Sequence, residues 1–137
     1  MILSFSEDKF KERILSGVKT HTIRTDRTER WKKGQVIHFW RGNPRNTKAT
    51  PKPHQFHECN CRSVQSFEMT FEMTFELDIH NIEVKIDNRF ISDNEILELA
   101  IADGFDSIED MTNWFFGQLD GKNCFKGRLI HWTKKVY

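Results

Sequence analysis

Apolar positions along the 137-residue chain fall into short stretches of two periods, and each stretch predicts an element. Ile2 to Phe5 reads as a short strand. Ser6 then caps a helix whose apolar stripe is Phe10, Ile14, Leu15 and Val18, and Gly17 ends it. Thr20 to Arg24 is β-prone; alternation sets Thr20, Thr22 and Arg24 on one face and His21 with a core-facing Ile23 on the other. Gln35 to Arg41 forms the next strand, and residues 42–55, with Gly, Asn, Pro, Lys and Arg and almost nothing apolar, form a loop. Phe56 to Leu77 is extended, with strict alternation in Phe67-Glu68-Met69-Thr70-Phe71-Glu72-Met73-Thr74-Phe75-Glu76. A further strand runs through Ile79 to Ile91. Ser92-Asp93-Asn94-Glu95 is a capping box opening a helix closed by Gly104, and Asp106-Ser107-Ile108-Glu109 opens another with Ile108, Met111, Phe115 and Leu119 inward. Phe125 to Val136 is a last strand, burying Leu129 and Ile130. The order β-α-β-β-β-β-α-α-β is that of an α+β domain, a small mixed barrel with short helices packed at its ends.

Composition narrows the class. The length fits a single domain over residues 1–137, with a flexible basic loop at 43–55. No apolar run reaches membrane-spanning length and Met1 to Phe5 is followed at once by charge, so a cytoplasmic protein without membrane contact is expected. Three cysteines and no secretory signal imply reduced thiols. His54-x-x-His57-x-Cys59-x-Cys61 gathers metal-ligand residue types, but the spacing fits no zinc pattern, so no metal is assigned. Net charge is only +1, yet residues 19–52 are strongly basic, 53–121 strongly acidic and the tail, from Lys122 on, basic again. Either the basic stretches form a cationic face for phosphate, or the blocks neutralise each other across the surface.

The densest chemistry is in Gly17-Val18-Lys19-Thr20-His21-Thr22-Ile23-Arg24. Lys19 beside Thr22 is a pairing that can activate a hydroxyl. Arg24, Trp40 and Arg41 end neighbouring strands, where guanidinium groups can fork onto phosphate or a base edge and an indole can stack on a base. Asp103 ends the Ser92 helix, where the dipole disfavours a carboxylate and raises its pKa. The plainer alternative leaves Lys19 and Asp103 as an ion pair, Thr22 as a strand hydroxyl, Arg24 in a surface salt bridge and Trp40 in the core.

The stretch Phe10-x-x-x-Ile14-x-x-Gly17-x-Lys19-Thr20-x-Thr22-Ile23-Arg24, followed by Trp31-x-x-Gly34, resembles the opening of an ASCH domain, a family with a PUA-like barrel. Its Lys-Thr-x-Thr-Ile-Arg core is similar to that of small bacterial amidohydrolases that deacylate N4-acetylcytidine. The resemblance covers the first third and, more loosely, the segment from Ser92 onward. It implies a metal-free amidohydrolase without cofactor, acting on an N4-acylated cytidine or related nucleoside through Lys19, Thr22 and an acidic residue that maps to Asp103. The family residue there is a Glu, one methylene longer than this Asp. Thr20, Arg24, Trp40 and Arg41 would bind the substrate. The alternative within the same fold is an RNA or modified-base binding module, with or without ribonuclease activity, using the same cleft and the basic 19–52 face.

Overall fold

A computed structural model describes residues 1–72, 82–119 and 123–137; the alternation at 73–76, the strand start at Ile79, His80 and Lys122 lie outside the described residues. Among the described residues the chain is α+β: eight strands in two sheets, with three short helices. One sheet has β1 (Ile2–Phe5), β3 (Val36–Arg41) and β4 (His54–Asn60) in the order β1-β3-β4, with β1 parallel to β3. The other contains β2 (His21–Arg24), β5 (Ser63–Phe71), β6 (Ile82–Ile86), β7 (Arg89–Phe90) and β8 (Cys124–His131), antiparallel in the order β2-β8-β5-β6-β7. Among the described residues these ladders do not close into a barrel.

Period-two burial holds where it was expected, with Gln65, Phe67, Met69 and Phe71 buried along β5. Phe67, Phe115 and Phe125 pack as a cluster in which Phe115 and Phe125 have ring centroids 4.7 Å apart, and Phe5 stacks on Phe39 at 6.3 Å. Three expectations are corrected. Phe56 to Leu77 is not one strand: it breaks at Cys61 and Arg62, and β4 and β5 join different sheets. The segment after Ile82 turns at Asp87 and Asn88, both at positive φ (50° and 63°), giving the β6–β7 hairpin. The last strand stops at His131, because residues beyond it leave the ladder.

The helices place the site. α1 (Asp8–Ser16) buries Phe10 and Ile14 and ends at Gly17, whose φ of 84° is the left-handed stop expected there; its N-cap is Glu7 rather than Ser6, without a side-chain cap. α2 (Asp93–Ala102) carries the full Ser92–Glu95 capping box, and α3 (Ile108–Phe116) is capped by Ser107. The chain leaving α1 is stitched to both neighbours: Lys19 N–H donates to Arg13 O at 2.9 Å and Thr20 N–H to Ala102 O at 2.8 Å. The first holds the link to α1, and the second brings the start of β2 against the end of α2.

Candidate active site

Lys19 and Asp103, 84 residues apart in sequence, meet at this junction. Lys19 Nζ donates to Asp103 Oδ1 at 3.0 Å and also to the Asp103 backbone carbonyl. Asp103 is the C-cap of α2, a helix with no basic residue in its last turn, so Lys19 supplies from the link between α1 and β2 the cation that this end calls for. Asp is long enough here; the methylene it lacks relative to Glu does not prevent contact. Both residues are almost fully buried, Lys19 at 2% and Asp103 at 3% exposure.

Burial governs both pKa values. Loss of solvent lowers Lys19 to about 8 against the opposing pull of Asp103, with nearby Arg24 lowering it further. Asp103 is raised by burial to about 6, although Lys19 and Arg24 pull it down. A lysine and a carboxyl flanking neutrality, in a water-poor wall, are fit to exchange protons with a bound substrate.

That wall belongs to a cavity of about 350 Å³, lined by Lys19, Thr22, Ile23, Arg24 and Asp103 together with Ser4, Phe5, Phe10, Asn43, Trp114 and Gln118 among others. The volume suits a small organic ligand. Thr22 is buried, and its hydroxyl makes no hydrogen bond among the described residues. Arg24 Nη2 donates to Ser4 O at 2.7 Å and its guanidinium lies 5.0 Å from the Phe5 ring centre, which leaves further donors for a ligand. Lys19 sits over the Phe5 and Phe10 rings at 5.6 and 5.3 Å. The cavity thus pairs an aromatic wall with two cations and one carboxyl.

Of the residues singled out in the sequence, Lys19, Thr22, Arg24 and Asp103 come together. Thr20, Trp40 and Arg41 do not line the cavity. Thr20 Oγ1 is buried without a partner, and Arg41 Nε is bound to Asp8 Oδ1 at 2.7 Å. The end of β3 does reach the cavity, which Gly42 and Asn43 line together with Arg24, but the Trp40 and Arg41 side chains stay out of it. Ile23 lines the cavity, and His21, Thr22 and Ile23 are all buried, so β2 has no exposed polar face. Sequence reasoning missed the Phe5, Phe10 and Trp114 wall and the polar Asn43 and Gln118. Trp114 carries one signal in the sequence, a large aromatic beside the inward stripe Ile108, Met111 and Phe115, and in the structure it stands 40% exposed at the cavity. Among the described residues no cluster of three or more His, Cys, Asp or Glu is placed to hold a metal, and His54 and His57 are exposed on β4. No helix there is long and apolar enough to cross a membrane. Set against known proteins, the chain matches no family model, no curated protein and no solved structure, so its site stands on geometry and residue chemistry.

Proposed function

We propose that this chain hydrolyses the exocyclic amide of an N4-acylated cytidine or a related modified nucleoside. The observation that carries the reading is the buried Lys19–Asp103 pair, 3.0 Å apart, in the wall of a cavity that Thr22 also lines. The Lys-Thr-x-Thr-Ile-Arg resemblance supplies the substrate class, and the same reading takes the two sheets as parts of a PUA-like barrel.

The pair works in its singly protonated form, with the proton on Asp103 and Lys19 a free amine. Lys19 accepts the Thr22 hydroxyl proton as Oγ1 attacks the amide carbonyl. Asp103 gives its proton to the nitrogen as the C–N bond breaks, leaving cytidine and an ester on Thr22. Water then adds to the ester, its proton going to Asp103, while Lys19 returns a proton to Thr22 Oγ1 as the acyl group leaves as a carboxylic acid. The pair ends as it began. Arg24 grips the acceptor edge of the base, and the aromatic wall packs against its ring.

Cytidine release from N4-acetylcytidine by the purified protein tests this. Wild type turns it over, while Thr22→Val and Asp103→Asn each lose at least about a hundredfold in kcat with an unchanged circular-dichroism spectrum. Lack of turnover by wild type sinks the reading. In that event a binding module is favoured by one feature: Arg45, Lys48 and Lys52, in an acid-free loop whose Asn43 lines the cavity, form no ion pair among the described residues. RNA affinity that falls steeply with salt would establish it.

A further inference from the structure

A second polar cluster lies against Asp103 and takes no part in the mechanism above. His21 is completely buried, and neither ring nitrogen has a hydrogen-bond partner among the described residues. An unpaired buried imidazole is costly, and such groups concentrate where function needs them. Its Nε2 stands 3.7 Å from Asp103 Oδ1, the oxygen that Lys19 Nζ holds at 3.0 Å.

The ring is clamped in place. His131, its cross-strand partner, lies 5.3 Å away by ring centres, and Tyr137 meets it edge-on at 5.7 Å. Gln65 fixes that cage: its Oε1 accepts the Tyr137 N–H at 2.9 Å and faces His131 Nε2 at 3.0 Å, while its Nε2 donates to Asp87 Oδ2 and Tyr137 O. An amide oxygen only accepts, so the His131 proton is on Nε2 and its Nδ1 has none to give. Burial, then the positive charge of Lys19, the His131 ring and Lys135, hold His21 well below the ordinary imidazole range. Around this cage stand Asp103 at the C-cap of α2, Asp87 behind Gln65, and Glu98, which pairs with Lys135 at 3.9 Å. Neutral His21 carries one N–H, and the carboxylate beside Nε2 selects that nitrogen for it.

We propose that His21 is a positioning residue for Asp103, its Nε2–H taking over Oδ1 when the Lys19 amine turns to Thr22. This rests on the amidohydrolase reading. A shift of under about one ångström brings 3.7 Å to hydrogen-bond length. With Oδ1 held, the catalytic proton stays on Oδ2, which has no partner among the described residues and belongs to a cavity-lining side chain.

Two readouts test it. In a Lys19→Met background, where no amine serves Asp103, its carboxyl is titrated by carbon-13 NMR. Replacing His21 by Leu raises the midpoint by about one pH unit, because a hydrogen bond to the charged form is lost, and His21→Gln restores most of it. In the otherwise native protein His21→Leu lowers kcat on N4-acetylcytidine about tenfold, leaves KM unchanged and does not lower Tm, since an apolar group replaces an unpaired polar one. His21→Asn, too short to reach Asp103, replaces the leucine variant if that does not fold. An unchanged Asp103 midpoint overturns the proposal, as does a kcat loss that only tracks a fall in Tm. Absence of turnover in wild type removes the amidohydrolase reading, while the titration still decides whether His21 serves Asp103.

Discussion

Lys19 and Asp103 differ from an ordinary ion pair in where they titrate. Burial drives the lysine down to about 8 and the carboxyl up to about 6, so each ionises within reach of neutral pH. Exchanging the proton between them leaves the proton count unchanged. Both arrangements, ammonium with carboxylate or amine with carboxylic acid, therefore follow the same pH profile, and the apparent pKa values belong to the pair. The expected outcome is a bell-shaped kcat/KM for N4-acetylcytidine, rising near pH 6 and falling near pH 8, with about a tenfold loss per pH unit beyond either limb. A plateau persisting above pH 9 would rule this pair out as the titrating unit. Lys19 and Asp103 could be singled out in the chain because each stood out locally, the lysine beside two threonines and the aspartate at a helix end where its charge is disfavoured. For His21 alternation signals only the inward face it shares with Ile23; that Asp103 waits there is set by a residue 82 positions away and leaves no mark nearby.

Among the elements, the end of α2 carries the site, and Gly104 sets its shape. Its φ is 95°, and a Cβ there would stand 3.0 Å from both Lys19 Cδ and Phe10 Cδ1. Gly104 O also accepts from Arg13 Nη1, tying the turn to α1. Gly104→Ala adds left-handed strain and presses on the lysine stem. It should cost about 1–3 kcal/mol in urea unfolding and lower kcat on N4-acetylcytidine, because both the Lys19 stem and the Phe10 ring of the cavity wall are displaced. Wild-type kcat in a folded alanine variant would show that the turn does not set the lysine's position. Helix limits such as this one were legible because caps are local: Ser92, Glu95, Gly17 and Ser107 announce them within a few residues. Sheet membership was not. Residues 56–71 are extended on either side of Cys61 and Arg62, and nothing nearby marks the passage from β4 beside β3 to β5 beside β8. That choice is made by pairing across the chain. A reading that gives Arg24 and Arg41 to one substrate has the strand ends right, since Gly42 and Asn43 line the cavity with Arg24, and misses that Asp8 takes the Arg41 guanidinium.

Over the whole molecule, opposite charge from distant segments is partly paired, as in Arg13 with Asp106, Arg41 with Asp8, and Arg128 with Asp26 at 3.2 Å, while Arg45, Lys48 and Lys52 keep no such partner among the described residues. The solvent-facing Arg13–Asp106 and Arg41–Asp8 pairs contribute little to stability, whereas the buried Lys19–Asp103 pair acts strongly against it in a definite pH window. The folded state takes up the Asp103 proton near pH 6 and the unfolded chain only near 3.8, so between these values folding binds a proton and stability falls as pH rises. The folded state gives up the Lys19 proton near pH 8 and the unfolded chain near 10.5, so across that interval stability rises with pH. The two contributions leave a trough between pH 6 and 8, on the order of 3 kcal/mol deep on each side. Lys19→Met/Asp103→Leu removes both groups together and leaves every other titrating residue in place. Urea unfolding of wild type and double variant from pH 4 to 10 should therefore show the variant's advantage greatest at pH 6 to 8 and shrinking toward both ends. A difference that stays flat with pH would mean that the pair does not carry these shifts. The trough coincides with the window in which the proposed chemistry would run, so the same buried charges that destabilise the fold near neutrality are those on which that proposal rests.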